Sequence, residues 1–216
     1  MIKKDFNKRL ITSLILIISV FLIFNYNFIL LLLLLIFGIF SIIEFFNIIK
    51  KISKNRYKQF IENLIFIIYV FVFCLFFFFF ANVTYLKIFL FIILCGCFAS
   101  DIGGYVTGKI LKGPKLTSIS PKKTVSGALG AIFFSAITIN ILFFYFTKSF
   151  SSSILIVSIL TSLGCQIGDL FFSFLKRKAK IKDTGNLLPG HGGILDRLDG
   201  IFLGIPVGFI SLTILN

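Results

Sequence analysis

Acidic side chains are scarce in this chain. Eight Asp and Glu stand against 22 Lys and Arg in 216 residues, and histidine occurs once, at His191. Hydrophobic residues make up 58% of the sequence and fall in long runs that carry few charges. A soluble fold of this length does not accommodate so many apolar runs, whereas segments of about 20 apolar residues are typical of transmembrane helices. The composition therefore excludes an ordinary soluble protein and predicts an integral membrane protein.

Cysteine is also sparse, and its placement gives no indication of chemistry. The four cysteines all lie inside apolar runs. Cys95 and Cys97 are two residues apart, so on a helix their side chains point in different directions and do not readily share a metal ion. We interpret all four as small apolar residues of the helices, outside any candidate site.

Apolar runs that can cross a bilayer occur seven times, and we predict an all-α polytopic membrane protein with about seven transmembrane helices. The first run is short and resembles the hydrophobic region of a signal peptide. No small-residue cleavage site follows it, so we expect it to remain as a mature helix. The predicted spans are 10–24, 28–48, 60–81, 85–108, 128–147, 152–175 and 199–215.

Basic residues are concentrated on one side of this arrangement. Twenty of the 22 Lys and Arg lie before the first span or in the loops that follow the second, fourth and sixth spans. The other loops contain one lysine, Lys148. The positive-inside rule then predicts a cytoplasmic N-terminus and an external C-terminus. Because the basic loops lie next to the membrane, we expect lipid headgroups, and not nucleic acid, to be the partner of the net charge of +14.

One face of the sixth span is polar. Gln166, Asp169 and Ser173 are spaced so that they lie on one side of a helix. Lys176 and Arg177 continue that face toward the following loop. Hydrogen bonding between helices accounts for Gln166 or Ser173 alone. An ionised Asp169 in a membrane requires a cation, either a lysine or a metal ion, and it is therefore a candidate site residue.

Two further aspartates lie at the start of the seventh span. Asp196 and Asp199 are three residues apart and share a helical face, where two carboxylates repel each other. A divalent cation removes that repulsion, and ligands that are all oxygen favour a hard ion such as Mg²⁺. The alternative for these two aspartates alone is stabilisation by the helix dipole or pairing with Arg197. With Asp169 added, we predict a metal site formed by Asp169, Asp196 and Asp199.

A glycine-rich turn precedes these aspartates. Gly192 and Gly193 follow His191, and glycine-rich backbone before a helix exposes N–H groups that bind phosphate. We expect both glycines to contact a phosphate-bearing substrate. His191 is a candidate for phosphate binding or proton transfer, although a single histidine is more often a structural hydrogen-bond donor.

The loop between the fourth and fifth spans combines hydroxyl groups with adjacent lysines. It reads SISPKKTVSG over 118–127 and follows Asp101, which lies near the end of the fourth span. No Walker A motif is present, and the loop alone is a weak signal. We predict that the loop binds a polyphosphate. The residues assigned to this binding are Ser120, Lys122, Lys123 and Thr124.

The candidate residues together indicate a class of chemistry. They comprise carboxylates for a metal ion, many lysines and glycine-rich turns, without an activated serine or cysteine nucleophile. This set is typical of phosphoryl or nucleotidyl transfer, in which positioning and charge neutralisation supply most of the catalysis. Because the residues lie at the predicted cytoplasmic edge of the membrane, we expect one lipid substrate and one soluble substrate.

The same residues resemble the motif of the phosphatidate cytidylyltransferase (CDP-diacylglycerol synthase) family. The similarity is strongest over 173–199, which read SFLKRKAKIKDTGNLLPGHGGILDRLD. It extends to Asp169, to Asp101 and to the Ser-Pro-Lys-Lys-Thr run at 120–124. The resemblance therefore covers the chain from the fourth span onward.

The resemblance implies transfer of a cytidylyl group from CTP to phosphatidate, giving CDP-diacylglycerol and pyrophosphate, with one or two Mg²⁺ ions. It also implies a homodimer in a bacterial-type inner membrane with the active site facing the cytoplasm. The basic residues would bind pyrophosphate or the lipid phosphate, and Asp183 would orient a lysine or bind a second ion. The residues implied as catalytic are Asp169, Lys176, Arg177, Lys182, Asp183, His191, Asp196 and Arg197.

The chain departs from the family at two positions. Ser126 stands where the family usually carries an acidic residue, and Gly104 where it usually carries alanine. An inactive relative is therefore one alternative. The others are a CTP-dependent enzyme that acts on an isoprenoid or polyprenol lipid and an ion-coupled transporter, although the late clustering of polar residues favours an enzyme. We predict one transmembrane domain over 1–216, with lipid-facing scaffold helices in 1–84 and the catalytic part in 85–216.

Overall fold

The computed structural model describes residues 18, 22, 24–185 and 192–215. Within these ranges the regular structure is helical, as the sequence predicts. The helices are α1 (Asn27–Ile52), α2 (Arg56–Ala81), α3 (Thr84–Leu111), α4 (Val125–Thr147), α5 (Ser152–Lys178) and α6 (Leu195–Leu215).

All six helices are long enough and apolar enough to cross a membrane. They confirm the second to seventh predicted spans, and each helix includes the whole of the run predicted for it. The helices extend beyond the apolar runs because polar residues continue the last turn, as Lys50 and Lys51 do in α1. Lysines at a helix C-terminus interact favourably with the helix dipole. The first predicted span lies almost entirely outside the described residues, so a count of seven and the sides of the termini stay predictions.

The described chain forms two compact units. The first unit contains the described residues up to Val83 and those of Leu175–Leu198. The second unit contains Thr84–Phe174 and the described residues from Asp199 onward. The division of a single domain at residue 84 stays a prediction.

In the first unit, α1 and α2 pack as a helical pair. Asn55 caps α2, because its side-chain oxygen accepts a hydrogen bond from the backbone N–H of Tyr57 at 2.9 Å. Phe45 of α1 stacks on Phe66 of α2 with ring centroids 3.9 Å apart. Both rings are buried, and their burial and stacking stabilise this end of the pair.

In the second unit, glycine lets α3 approach α4 closely. A Cβ atom on Gly103 would lie 2.6 Å from Cβ of Phe134 and 2.9 Å from the carbonyl oxygen of Gly130. Small residues at such contacts are typical of helices that pack in membranes, where close approach supplies the attraction. An apolar cluster in the same unit combines residues from α3, α4, α5 and α6. Its buried members are Ile92, Ile139, Ile154, Val157 and Leu212.

Glycine also determines how α5 packs on α6. A Cβ atom on Gly164 would lie 3.1 Å from Cα of Gly204. One turn further along α5, a Cβ atom on Gly168 would lie 3.4 Å from Cα of Gly200. These two contacts bring the backbones together beside Asp169, which follows Gly168 directly.

Candidate functional site

The loop between α3 and α4 is ordered by its own backbone. The carbonyl oxygen of Ser120 accepts a hydrogen bond from the N–H of Lys123 at 3.0 Å, which closes a four-residue turn. Pro121 occupies the second position of that turn, where its fixed φ is favoured. An isolated β-bridge between Lys115 and Thr124 joins the two sides of the loop. The turn therefore holds the two adjacent lysines of the SPKKT run in a defined place.

Thr124 and Ser126 fasten the end of this loop. The hydroxyl oxygen of Thr124 accepts a hydrogen bond from the N–H of Gly127 at 3.1 Å and caps α4. The hydroxyl of Ser126 donates to the carbonyl oxygen of Lys112, just beyond the end of α3. Ser126, which stands where the family that the sequence resembles usually carries an acid, thus ties the loop to the preceding helix.

A cavity of about 540 Å³ lies in the second unit and is lined by α3, α4, α5 and the loop. Its wall contains the turn at Ser120 and both lysines of the SPKKT run, together with the carboxylates of Asp101 and Asp169. Gln166 also lines it and donates to the carbonyl oxygen of Ala128 at 3.2 Å. All four residues that the sequence assigns to polyphosphate binding line this cavity: Ser120, Lys122, Lys123 and Thr124.

Asp169 forms an ion pair in this cavity. One of its carboxylate oxygens accepts a hydrogen bond from the ammonium group of Lys123, and the other accepts from the hydroxyl of Ser173 at 3.4 Å. The sequence requires a lysine or a metal ion beside Asp169, and the structure provides the lysine. Both side chains are about one-third exposed, at 27% for Lys123 and 32% for Asp169, so a ligand in the cavity can reach them.

Asp196 forms a second polar cluster, in the first unit. Its Oδ1 accepts a hydrogen bond from the ammonium group of Lys176 at 2.7 Å. Its Oδ2 accepts from the backbone N–H of Thr184 at 2.8 Å and of Gly193 at 3.1 Å. Gly192 has φ of 82°, a conformation that favours glycine. The sequence analysis offered Arg197 as a partner for the aspartates, and the described structure shows a salt bridge between Asp196 and Lys176.

Glu44 of α1 is a buried acid to which the sequence analysis gave no role. Its carboxylate accepts hydrogen bonds from the hydroxyl of Thr184 at 2.6 Å and from the N–H groups of Ile194 at 3.0 Å and Leu195 at 2.9 Å. The side chain is only 2% exposed. The signal was available, because an acid inside a predicted membrane span is a functional candidate by default.

The remaining predicted site residues are one buried aspartate, several exposed residues and a histidine outside the described chain. Asp199 is buried in α6, and its Oδ1 accepts a hydrogen bond from the N–H of Gly200 at 2.9 Å. His191 lies outside the described residues. The N–H groups of residues 193–195 donate to carboxylates of the chain itself, and phosphate binding by Gly192 and Gly193 stays a prediction. The exposed members are Arg177, Lys182, Asp183 and Arg197.

The predicted metal ligands offer the oxygen donors that Mg²⁺ prefers. Among the residues described, no three His, Cys, Asp or Glu side chains come together as a metal site. Asp169 and Asp196 are instead each neutralised by a lysine ammonium group. The oxygen donors are of the type that suits a magnesium ion, and metal binding by these carboxylates stays a prediction.

Comparison with known proteins finds similarity along nearly the whole chain. The model of the cytidylyltransferase family matches residues 10–215. The phosphatidate cytidylyltransferase of Rickettsia bellii is 39% identical over 128 residues, which are 56% of this chain and 55% of that protein. The phosphatidate cytidylyltransferase of Helicobacter pylori is 40% identical over 106 residues, 49% of this chain and 40% of the relative.

A third relative gives the same result. The phosphatidate cytidylyltransferase of Mycobacterium bovis is 40% identical over 128 residues, 58% of this chain and 42% of that protein. The matched regions thus span from 40% to 55% of the length of these three relatives.

Proposed function

Because the chain belongs to the cytidylyltransferase family, we propose that it transfers the cytidylyl group of CTP to phosphatidate, forming CDP-diacylglycerol and releasing pyrophosphate. The three similar proteins are phosphatidate cytidylyltransferases, which supports this substrate pair. The structural observation that carries the proposal is the cavity in the second unit, which is lined by two adjacent lysines and two carboxylates. Cationic and anionic groups at one cavity suit a reaction between phosphates.

The proposed reaction joins two anions. A phosphate monoester is largely ionised near neutral pH, so its oxygen attacks without a strong general base. The new bond forms between that oxygen and the α-phosphorus of CTP, and the bond from the α-phosphorus to the pyrophosphate oxygen breaks. Repulsion between the reactants is the main obstacle, and fixed positive charges that neutralise the phosphates lower the barrier.

In this proposal the SPKKT loop binds the phosphates. Lys122 and Lys123 offer ammonium donors at the cavity wall, and the hydroxyls of Ser120 and Thr124 line the same space. Asp169 holds the Lys123 ammonium in place when no substrate is bound. Lys176 and Asp196 provide the second pair of charges. The aspartate of this pair also accepts hydrogen bonds from the N–H groups of Thr184 and Gly193.

We propose Mg²⁺ as the metal ion, with the carboxylates of Asp169, Asp196 and Asp199 as its ligands. Bound magnesium would neutralise the CTP phosphates and polarise the α-phosphorus. The residues of the chain then bind, orient and screen the substrates. A homodimer, seven spans and a location in the inner membrane with the cavity facing the cytoplasm belong to the same proposal.

The test is nucleotidyl transfer by the purified protein in detergent with labelled CTP, phosphatidate and Mg²⁺. We expect a lipid-soluble cytidine product that requires both phosphatidate and the metal ion. Parallel reactions with a polyprenyl phosphate and an isoprenoid ether lipid phosphate identify the acceptor. Product with one of these lipids alone would replace phosphatidate in the proposal, and folded protein that makes no product from any lipid would overturn it.

A further inference from the structure

Glu44 differs in its surroundings from Glu62, the other acid of α1 and α2. It lies in α1, where it is the only ionisable residue before the lysines of the last turn, and it is 2% exposed. Both carboxylate oxygens accept hydrogen bonds, Oε1 from the N–H of Ile194 and Oε2 from the N–H of Leu195 and the hydroxyl of Thr184. Glu62 of α2, by contrast, has a lysine partner at 4.0 Å with an exposed ammonium group. A buried acid costs free energy unless its hydrogen bonds are complete, so three donors at Glu44 indicate a specific role.

The chain around Glu44 leaves room for a carboxylate. A Cβ atom on Gly185 would lie 2.6 Å from Oε1 of Glu44, and one on Gly193 would lie 2.7 Å from its Cδ. Two glycines therefore stand where any larger residue would push the carboxylate away. An amide in place of the acid would also fail, because its NH₂ group would face an N–H or O–H donor.

Glu44 and Asp196 both accept hydrogen bonds from the same two segments, one at residue 184 and one at residues 193–194. Thr184 donates its hydroxyl to Glu44 and its backbone N–H to Asp196. The next contact repeats this arrangement, because Gly193 donates its N–H to Asp196 and the following residue, Ile194, donates to Glu44. The position of the Asp196 carboxylate thus depends on backbone that Glu44 fixes.

We propose that Glu44 is a positioning residue: it fixes residue 184 and the start of α6, and so holds the carboxylate of Asp196 and its partner Lys176 for catalysis. This inference rests on the proposed function for its catalytic consequence. It assigns to an N-terminal helix a part in the site that the sequence placed wholly in the C-terminal half. Residues that orient site carboxylates commonly contribute about 10- to 100-fold to activity.

The experiment compares Glu44→Gln and Glu44→Asp with a control, Ser41→Ala, in the purified full chain. Ser41 lies one turn earlier on α1 and is equally buried, and its hydroxyl has no hydrogen-bond partner among the described residues. We expect Glu44→Gln to lower kcat per folded molecule about 10- to 100-fold, with KM for CTP within about twofold of wild type. Glu44→Asp keeps two acceptor oxygens and should recover part of the loss, while Ser41→Ala should match wild type.

Hydrogen exchange gives a readout that does not depend on activity. The amides of Ile194 and Leu195 should exchange faster in Glu44→Gln than in wild type or Ser41→Ala, because glutamine keeps only one of the two acceptor oxygens and its NH₂ group faces the remaining donor. A variant that only unfolds would lose soluble monodisperse protein and show wild-type kcat in the folded fraction, and that result would overturn the inference. Full turnover in Glu44→Gln would also overturn it, although the proposed function would stand.

An inactive wild-type protein would overturn the proposed function, and hydrogen exchange alone would then decide whether Glu44 has the positioning role. Faster exchange of residues 192–198 in Glu44→Gln, absent in Ser41→Ala, would then support that role. Equal exchange in all three proteins would overturn it.

Discussion

At the scale of single residues, each of two aspartates is neutralised by a lysine that is distant in sequence. Asp169 pairs with Lys123, and Asp196 pairs with Lys176. Charges in a membrane protein are costly unless they are paired, so each pair allows the chain to keep a reactive charge near apolar helices. In the proposed reaction, the lysine of each pair would bind a substrate phosphate and the carboxylate would bind a metal ion.

Replacing Asp169 should abolish most activity and leave the fold intact. Asp169→Asn removes the charge that holds Lys123 and, in the proposal, a metal ligand, so we expect turnover to fall by about 100-fold or more. Glu62→Gln is the control, because it makes the same acid-to-amide change at an acid whose lysine partner is 60% exposed, where an ion pair contributes little. The measurement is cytidylyl transfer per folded molecule, and wild-type turnover by Asp169→Asn would contradict the assignment.

A methyl group at Gly185 should act through Glu44. Gly185 does not have the positive φ that favours glycine, so alanine meets no backbone strain there, but its Cβ would lie 2.6 Å from Oε1 of Glu44. We expect Gly185→Ala to lower turnover in the wild-type background and to have little further effect in Glu44→Ala. A double-mutant cycle on kcat measures this coupling, since residues in contact are non-additive. Additive losses would show that Gly185 acts independently of Glu44.

At the scale of the helices, the ends were harder to predict than the spans. The apolar run in 152–175 marked α5 correctly, but the helix continues to Lys178 through basic residues that hydropathy assigns to a loop. Likewise α6 begins at Leu195, before the apolar run predicted at 199–215, and Asp196 lies in its first turn, in agreement with the helical face that it was expected to share with Asp199. Polar residues extend these helices because backbone hydrogen bonding continues past the apolar segment.

Adjacent glycines on α3 should respond differently to alanine. A Cβ on Gly103 would lie 2.6 Å from Cβ of Phe134, whereas on Gly104 it would lie 3.4 Å from Cβ of Ala131, an ordinary contact. We expect Gly103→Ala to cost about 1–3 kcal/mol by overpacking and to lower the Tm in detergent by about 2–4 °C per kcal/mol. Gly104→Ala should leave the Tm unchanged or raise it, because alanine favours a helix. Equal effects would mean that α3 and α4 do not approach as described.

At the scale of the whole molecule, the sequence predicted the class of fold and much of the candidate site. Long apolar runs permit few structures other than membrane helices, which is why the six described helices match their runs. The sequence also singled out the SPKKT loop, whose Ser120 and Lys123 line a cavity, and polyphosphate binding there stays a prediction. The pairing of Lys123 with Asp169 and the hydrogen-bond partners of Glu44 could not be read from the sequence. They join residues far apart in the chain, and only packing decides which distant groups meet.

The orientation of the molecule is a prediction from the distribution of its basic residues, and it can be measured with single cysteines. The positive-inside rule predicts that the loop after α1 lies in the cytoplasm and the loop after α4 outside. Ser53→Cys and Ser149→Cys make the same change in these two loops. We expect a membrane-impermeant thiol reagent to label Ser149→Cys in intact cells and Ser53→Cys only after lysis.

The wild-type protein supplies the background for this labelling. Its four cysteines are buried or half-buried and lie in helices, so they should react little with a polar reagent. The reversed pattern would place the cavity-forming loop between α3 and α4 outside the cell, away from CTP, and would contradict both the orientation and the proposed reaction. Three helices, α2, α3 and α4, lie between the two loops, so three complete spans must put the loops on opposite sides of the membrane. Labelling of both loops in intact cells would therefore mean that one or all three of these helices do not cross the membrane.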